Sequence, residues 1–206
     1  MSIIEDSKIY VEGLFSNDSK NQLSYHNWKH TMNVFNATDL IVSNTDGVSE
    51  KDKEHLLLAA LFHDIGYLES SKNHEERGAL QAGIFLREKD YSENDVKEVQ
   101  RLILATKLHH MPTDILEKII IDADLSHLGR EDYIETTYQF LSNEIKQNSN
   151  AELTKKDWAE SCAIFLNGHR FLTDFAINHF AKNKTRNINR VKELVKKANQ
   201  SKSTSN

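Results

Sequence analysis

The chain has 206 residues, 38% of them hydrophobic and 28% charged, and a formal net charge of −5. That length suits one domain with a sizeable core, and the acidic balance gives a general nucleic-acid-binding role no electrostatic support. Its single cysteine, Cys162, excludes an intrachain disulfide and a zinc–thiolate cluster and is compatible with a reducing cytoplasm.

A small anionic substrate stays compatible with these numbers, because a metal and a few basic residues can reverse the field locally. Between Met1 and Phe15 the apolar residues are interrupted by Glu5, Asp6, Lys8 and Glu12, so no signal peptide is expected. No later apolar run is long enough to cross a bilayer, and a cytoplasmic protein is expected.

With one proline and seven glycines, the chain has few tight turns to offer, and its apolar residues recur at three- and four-residue intervals. Residues 3–15 read as an amphipathic helix, with Ile3, Ile4, Tyr10, Val11, Leu14 and Phe15 on its core face. After a polar connection from Asn17 to Ser24, a second helix spans about His26 to Val42 and stops at Asn44-Thr45-Asp46-Gly47. Ser49-Glu50-Lys51-Asp52 has the form of a capping box and opens a third helix, whose apolar run Leu56-Leu57-Leu58-Ala59-Ala60-Leu61-Phe62 leads into His63-Asp64. Gly66 is expected to stop it. Residues 74–89 form a further helix, and Ser92-Glu93-Asn94-Asp95 caps another that reaches about Leu108. Pro112 separates this from a short helix over 113–119, which is followed by an apolar start and then Asp122, Asp124 and His127. Glu131 to Lys146 reads as a long helix, Gln147 to Glu152 as a loop, and Thr154-Lys155-Lys156-Asp157 as the cap of the helix carrying Trp158, Ile164, Phe165 and Leu166. Helices over 173–182 and 186–198 complete the set. The pattern is all-α, one helical domain over residues 1–198, with a small polar tail from 199 to 206 expected to be disordered.

Placing His63 and Asp64 at the end of a buried run costs stability unless something compensates both groups, and a metal ion does so directly. Tyr25-His26-Asn27-Trp28-Lys29-His30 sets two histidines at i and i+4, neighbours on one helix face, and Asp122-Ala123-Asp124 adds carboxylates after the apolar Ile119-Ile120-Ile121. His30, His63, Asp64 and Asp124 together make a two-nitrogen, two-oxygen ligand set from three helices. Such a set suits a six-coordinate divalent ion (Mn2+, Fe2+, Mg2+, Co2+ or Ni2+) with open water positions, with Zn2+ a further option. Water at an open position becomes a nucleophile near neutral pH.

The order histidine, His-Asp, aspartate resembles the HD-domain superfamily of metal-dependent phosphohydrolases. Tyr25-His26-Asn27-x-x-His30 also looks like the opening motif of the cyclic-nucleotide phosphodiesterases, a distant branch of that superfamily. His74-Glu75-Glu76-Arg77-Gly78-Ala79, Asp122-Ala123-Asp124-Leu125-Ser126-x-Leu128-Gly129 and Arg186-Asn187-x-Asn189-x-x-x-Glu193-Leu194 resemble a bacterial branch of predicted HD phosphohydrolases. The resemblance spans residues 25 to about 195. It departs at Gly78, where that branch usually has serine, and at His74, where it often has asparagine.

The resemblance implies that His30, His63, Asp64 and Asp124 hold the metal and that His26 is the general acid protonating the leaving oxygen, a task for a group titrating near neutrality. Asp122 or Glu75 would orient the metal-activated water or a ligand imidazole. His74, His109 and His110 are candidates for a second metal or for substrate contacts, as in the binuclear members of the superfamily. Lys107 and Arg186, with Arg170 and Arg190, are candidates for phosphate contacts through charge-assisted hydrogen bonds, although each taken alone reads as a solvated charge. His55, His127, His169 and His179 have no partner motif and read as structural. Phe165, Phe171, Phe175, Phe180 and Cys162 read as core, the cysteine as a small hydrophobe and not a nucleophile.

The expected function is hydrolysis of a phosphoester in a small phosphorylated molecule, with a nucleotide as the expected class and no nucleic-acid or membrane partner. Phosphomonoester removal, pyrophosphate release and cyclic phosphodiester opening all stay open. A non-catalytic HD module that senses a metal or nucleotide is the competing class.

Overall fold

The computed structural model describes residues 2–17, 23–148 and 153–203. Parts of the expected connections at Asn17–Ser24 and Gln147–Glu152 therefore lie outside the described residues, as do residues 204–206 of the expected tail. Every regular element among the described residues is helical, which bears out the all-α reading. Packing of the backbone divides the chain into two compact units, residues 1–125 and 126–206. No helix among the described residues is long and apolar enough to cross a membrane.

The first unit is built around α3 (Glu50–Phe62), against which α1 (Ile3–Ser16), α2 (Trp28–Val42), α4 (His74–Glu88), α5 (Glu93–Ala105) and α6 (Ile115–Asp124) all pack. The composition of α3 explains its place. Leu56 through Phe62 are seven consecutive apolar residues, and a helix apolar on every side must be buried on every side. Six of the seven, all but Leu57, are completely inaccessible. Each large side chain among them contributes about 1.5–3 kcal/mol of burial. Tyr10, Phe62 and Phe85 form an aromatic cluster joining α1, α3 and α4, with ring centroids 4.6–6.1 Å apart.

Most helix starts follow the capping chemistry expected of them. Ser49 and Asp52 form a reciprocal capping box, and the side chains of Ser92, Asp114 and Thr154 each accept the backbone N–H three residues on. Three boundaries differ. Helix α2 starts at Trp28, because the Asn27 side chain caps it by accepting the N–H groups of Lys29 and His30, so His26 precedes the helix. Helix α3 ends at Phe62 and passes through Asp64 (φ −107°, ψ 0°) into a 3-10 turn over Ile65–Leu68. Gly66 lies inside that turn and not at a helix stop. A Cβ there would stand 2.1 Å from the His74 carbonyl oxygen, so glycine is required by close approach. The aspartate segment forms one helix, α6, continued by a 3-10 turn over Leu125–Gly129.

In the second unit the long helix expected over Glu131–Lys146 is instead a π-helical turn (Ile134–Tyr138) leading into α7 (Gln139–Asn148), followed by α8 (Lys155–Gly168) and α9 (Asp174–Ser203). The two terminal helices expected from the sequence are therefore one, and residues 199–203, expected in the disordered tail, continue it. The polar Asn183-Lys184-Thr185 looks like a break, yet Lys184 and Asn187 are buried. The Lys184 ammonium donates to the His169 carbonyl at 2.5 Å, and Asn187 donates to the Leu128 and Arg130 carbonyls at 2.9 and 2.7 Å. Phe171 and Phe180 are core as expected, whereas Phe165 is 38% exposed. Burial pushes the Cys162 thiol up to about 12, so it is no nucleophile at neutral pH.

Candidate metal centre

Three helix ends of the first unit converge. Asn27 fixes the start of α2 and places His30 in its first turn. The end of α3 presents His63 and Asp64, and the last turn of α6 presents Asp124. His30, His63 and Asp124 each offer a ligand atom within 4.8 Å of the others. Asp64 is not one of these three but lies beside them: its Oδ2 stands 3.2 Å from His30 Nε2 and 3.1 Å from His63 Nε2. Asp124 Oδ1 lies 3.7 and 3.6 Å from the same two nitrogens.

The state of His63 is defined by its other nitrogen. Nδ1 lies 2.9 Å from the Ala60 carbonyl, which can only accept, so Nδ1 carries a proton. That leaves Nε2 as the lone-pair nitrogen of the neutral ring. It is buried and has no hydrogen-bond partner, although Asp64 Oδ2 is within distance, because the alignment is wrong. An unsatisfied buried nitrogen costs about 1–3 kcal/mol, and a divalent cation is the natural group to meet it. The backbone carbonyl in turn plays the part of the outer partner that orients a ligating imidazole. The donor set is therefore chemically fit for a divalent ion.

Electrostatics support the same reading. Burial alone would lower the pKa of His30 and His63, but the carboxylates of Asp64 and Asp124 outweigh it, raising His30 and taking His63 well above its ordinary value. Burial alone would raise Asp64 and Asp124, yet the two imidazoles hold Asp64 well below the usual carboxylate range and lower Asp124 as well. Two anions and two basic nitrogens in one buried cluster are what a cation would find ready.

Around this cluster lie other residues singled out in the sequence. His26 is not on the helix face with His30, since it precedes the cap, but the two rings still meet edge to face at 5.7 Å. His74 opens α4 with Nδ1 3.0 Å from the Ser71 carbonyl and Nε2 3.6 Å from Asp64 Oδ1, whereas the contacts of His30 and His63 are to Oδ2. Glu75 Oε2 lies 3.3 Å from His74 Nδ1. Asp122 is completely buried on α6. Gly78 brings α4 against the end of α3: a Cβ would meet the Phe62 and His63 carbonyl oxygens at 2.7 and 2.9 Å.

Other candidates are engaged elsewhere. His110 Nε2 is 3.0 Å from Glu117, a buried carboxylate that also accepts from the Thr113 N–H and hydroxyl and from Arg101. His109 is exposed at φ +70°. Lys107 pairs with Glu76 at 2.8 Å. Arg186, in the second unit, is exposed and donates to Asn183.

Two residues near the centre were not foreseen. Tyr67 stacks on His26 at 3.8 Å with 7° between the planes, and it lies 4.1 Å from the His74 ring. Arg77 donates to the Gly66, Ser70 and Lys72 carbonyls, closing the loop that carries Tyr67. The only signal available for Tyr67 was its spacing, one 3-10 turn after Asp64.

A family model described as HD domain matches residues 27–129, half of the chain and all four converging residues. No solved structure matches the chain.

Proposed function

Because the chain belongs to the HD-domain family, we propose that it is a metal-dependent phosphohydrolase acting on a small phosphorylated molecule, with a nucleotide as the substrate class. The observation that carries this is the buried lone-pair nitrogen of His63, held by the Ala60 carbonyl among two carboxylates and a second imidazole. His30, His63, Asp64 and Asp124 would hold a divalent ion such as Mn2+, Fe2+, Mg2+, Co2+, Ni2+ or Zn2+. When bound, the ion supplies Lewis-acid polarisation of a phosphoryl oxygen and an acidified water.

The chain's own residues divide the remaining work. His26, stacked on Tyr67 and beside His30, holds the proton for the leaving oxygen. Glu75, through His74, orients the side of the site facing Asp64 Oδ1. Asp122, buried two residues before Asp124, is placed to steady the α6 end of the cluster. A cytoplasmic setting accords with the buried, unreactive Cys162.

One observation favours a two-ion form. His74 gives its Nδ1 proton to the Ser71 carbonyl, which leaves Nε2 as a lone pair 3.6 Å from the second oxygen of Asp64. Asp64 would then bridge. His110 is engaged by Glu117, so this form draws on His74 and not on the whole histidine trio.

The test is metal analysis of the purified protein followed by phosphate release from an aryl phosphate, a bis-aryl phosphodiester and nucleotides, with Mn2+ added. Turnover with bound metal supports the hydrolase. Preference for a cyclic nucleotide would place it with the phosphodiesterase-like reading of Tyr25–His30, and two ions per chain would support the bridged form. Full metal occupancy without turnover on any substrate would instead make the chain a metal- or nucleotide-sensing module.

A further inference from the structure

His26 lies ahead of the α2 cap, so no helical backbone fixes its ring. A general acid nevertheless needs a fixed direction, since misplacement of about 1 Å can cost 10²-fold in rate. The ring must be held by what it touches. Tyr25 meets its edge at 4.9 Å and 86°, and Tyr67 covers one face at 3.8 Å and 7°.

Tyr67 has a second neighbour. The His74 ring lies 4.1 Å from it, tilted by 39°. Two rings that each come within about 4 Å of a third cannot share one of its faces without overlapping. Tyr67 therefore stands between His26 and His74. A core role does not explain the placement, because Tyr67 is partly exposed.

The tyrosine is itself tied to the metal ligands. Its backbone N–H donates to the Asp64 carbonyl at 3.0 Å, closing the 3-10 turn. Gly66 lets the same turn press on the His74 backbone, and Arg77 binds the Gly66 carbonyl and the loop beyond. Contacts thus join Asp64, Tyr67 and the start of α4 directly to one another.

The geometry points to Tyr67 as a positioning residue: its ring, clamped between His26 and His74 and anchored to the Asp64 turn, sets the orientation of both histidines relative to the metal centre. This rests on the phosphohydrolase reading for its catalytic consequence but not for its structural one. On this assignment Tyr67 is neither a metal ligand nor a reacting group. Its effect should fall on kcat and leave KM and the metal affinity of the site formed by His30, His63, Asp64 and Asp124 alone.

The test compares Tyr67→Leu, which removes the ring, with Tyr67→Phe, which keeps it. Ring-current shifts of the His26 and His74 ring protons are read by NMR in the Mg2+-loaded protein, Mn2+ affinity by calorimetry, and kcat and KM on the best substrate found. In Tyr67→Leu both histidines should lose their upfield shifts, Mn2+ affinity and KM should hold, and kcat should fall by about 10-fold or more. Tyr67→Phe should keep the shifts and restore most of kcat. Unchanged shifts in Tyr67→Leu would overturn the proposal, as would a loss of Mn2+ affinity equal to the loss of kcat, which would make the residue merely structural. If the wild-type protein binds metal but turns over nothing, the hydrolase reading fails, while the NMR and Mn2+ measurements still decide the positioning role.

Discussion

His63 Nε2 and Asp64 Oδ2 stand 3.1 Å apart with no hydrogen bond between them, while the opposite nitrogen of the same ring is held at 2.9 Å by the Ala60 carbonyl. The main chain of α3 thus fixes the proton on Nδ1, and Nε2 is the nitrogen that faces the carboxylates and would take a metal in exchange for its proton. Because the two side chains do not satisfy each other, both stay available to a shared ion.

His63→Ala and Asp64→Ala should each abolish divalent-ion binding, measured by calorimetry or metal analysis. In the metal-free protein the raised pKa values of His30 and His63 mean that binding must displace protons. Affinity should therefore fall as pH is lowered, with proton uptake by the buffer visible in its ionisation heat. The same shifts set the stability of the metal-free form. The raised histidines contribute fully below their ordinary 6.5, and that contribution is lost as pH rises through their raised values. The depressed Asp64 and Asp124 contribute fully above their ordinary 3.8, a contribution lost as pH falls through their lowered values. The metal-free protein should melt highest between these limits. Added metal should remove the decline on the alkaline side, and a decline that persists in saturating metal would count against the ligand assignment.

His26→Ala should behave differently. It leaves the ligand atoms in place, so metal affinity should hold while turnover falls by about 10²–10⁴-fold, the range for losing a positioned general acid. The loss should be smaller for substrates whose leaving group needs no proton, such as a nitrophenolate. Equal losses on good and poor leaving groups would show that His26 is not the acid.

The helices and most of their caps were legible because both are local properties of the chain. The uninterrupted apolar run of α3 announced its central place, and Ser49, Ser92 and Thr154 cap as their spacing implies. That His63 and Asp64 would lie with His30 and Asp124 was legible for a related reason: a histidine and a carboxylate at the end of such a run demand compensation. What escaped depends on contacts between segments. Asn27 taking the cap and leaving His26 outside the helix, Gly66 yielding space to His74, and Tyr67 entering between two histidines have no local signature. The continuity of α9 was hidden because Lys184 and Asn187 look like surface residues until the carbonyls they serve are known.

Gly66→Ala tests the packing that holds this arrangement. Its methyl would sit 2.1 Å from the His74 carbonyl oxygen, and 2.7 Å from both the carbonyl carbon and Cα, all of them backbone atoms that cannot rotate away. The 3-10 turn or the start of α4 must shift. Destabilisation of about 1–3 kcal/mol is expected from overpacking of this kind, read from the denaturant midpoint at unchanged slope. Because the turn directly follows Asp64, metal affinity should weaken as well. A variant as stable as the wild type would show that the turn and α4 are less tightly joined than described.

Glu117 provides a test away from the metal. It is 3% exposed and accepts from His110, from the N–H and hydroxyl of Thr113, and from Arg101, so it fastens the chain between α5 and the start of α6. Burial would raise its pKa, but these donors outweigh it and bring the carboxyl down to about 2. A depressed carboxyl contributes its stability above the ordinary 4.5, and loses it as pH falls toward 2. Glu117→Gln should therefore cost about 2–3 kcal/mol near neutrality, since it exchanges charge-assisted hydrogen bonds for neutral ones. Below pH 4.5 the gap to wild type should narrow, and near pH 2 most of it should be gone, because the wild-type carboxyl is then protonated too. Chemical denaturation of both proteins across this range gives the comparison. A gap that stays constant with pH would mean that shape, and not charge, is what Glu117 contributes to the joint leading to Asp124.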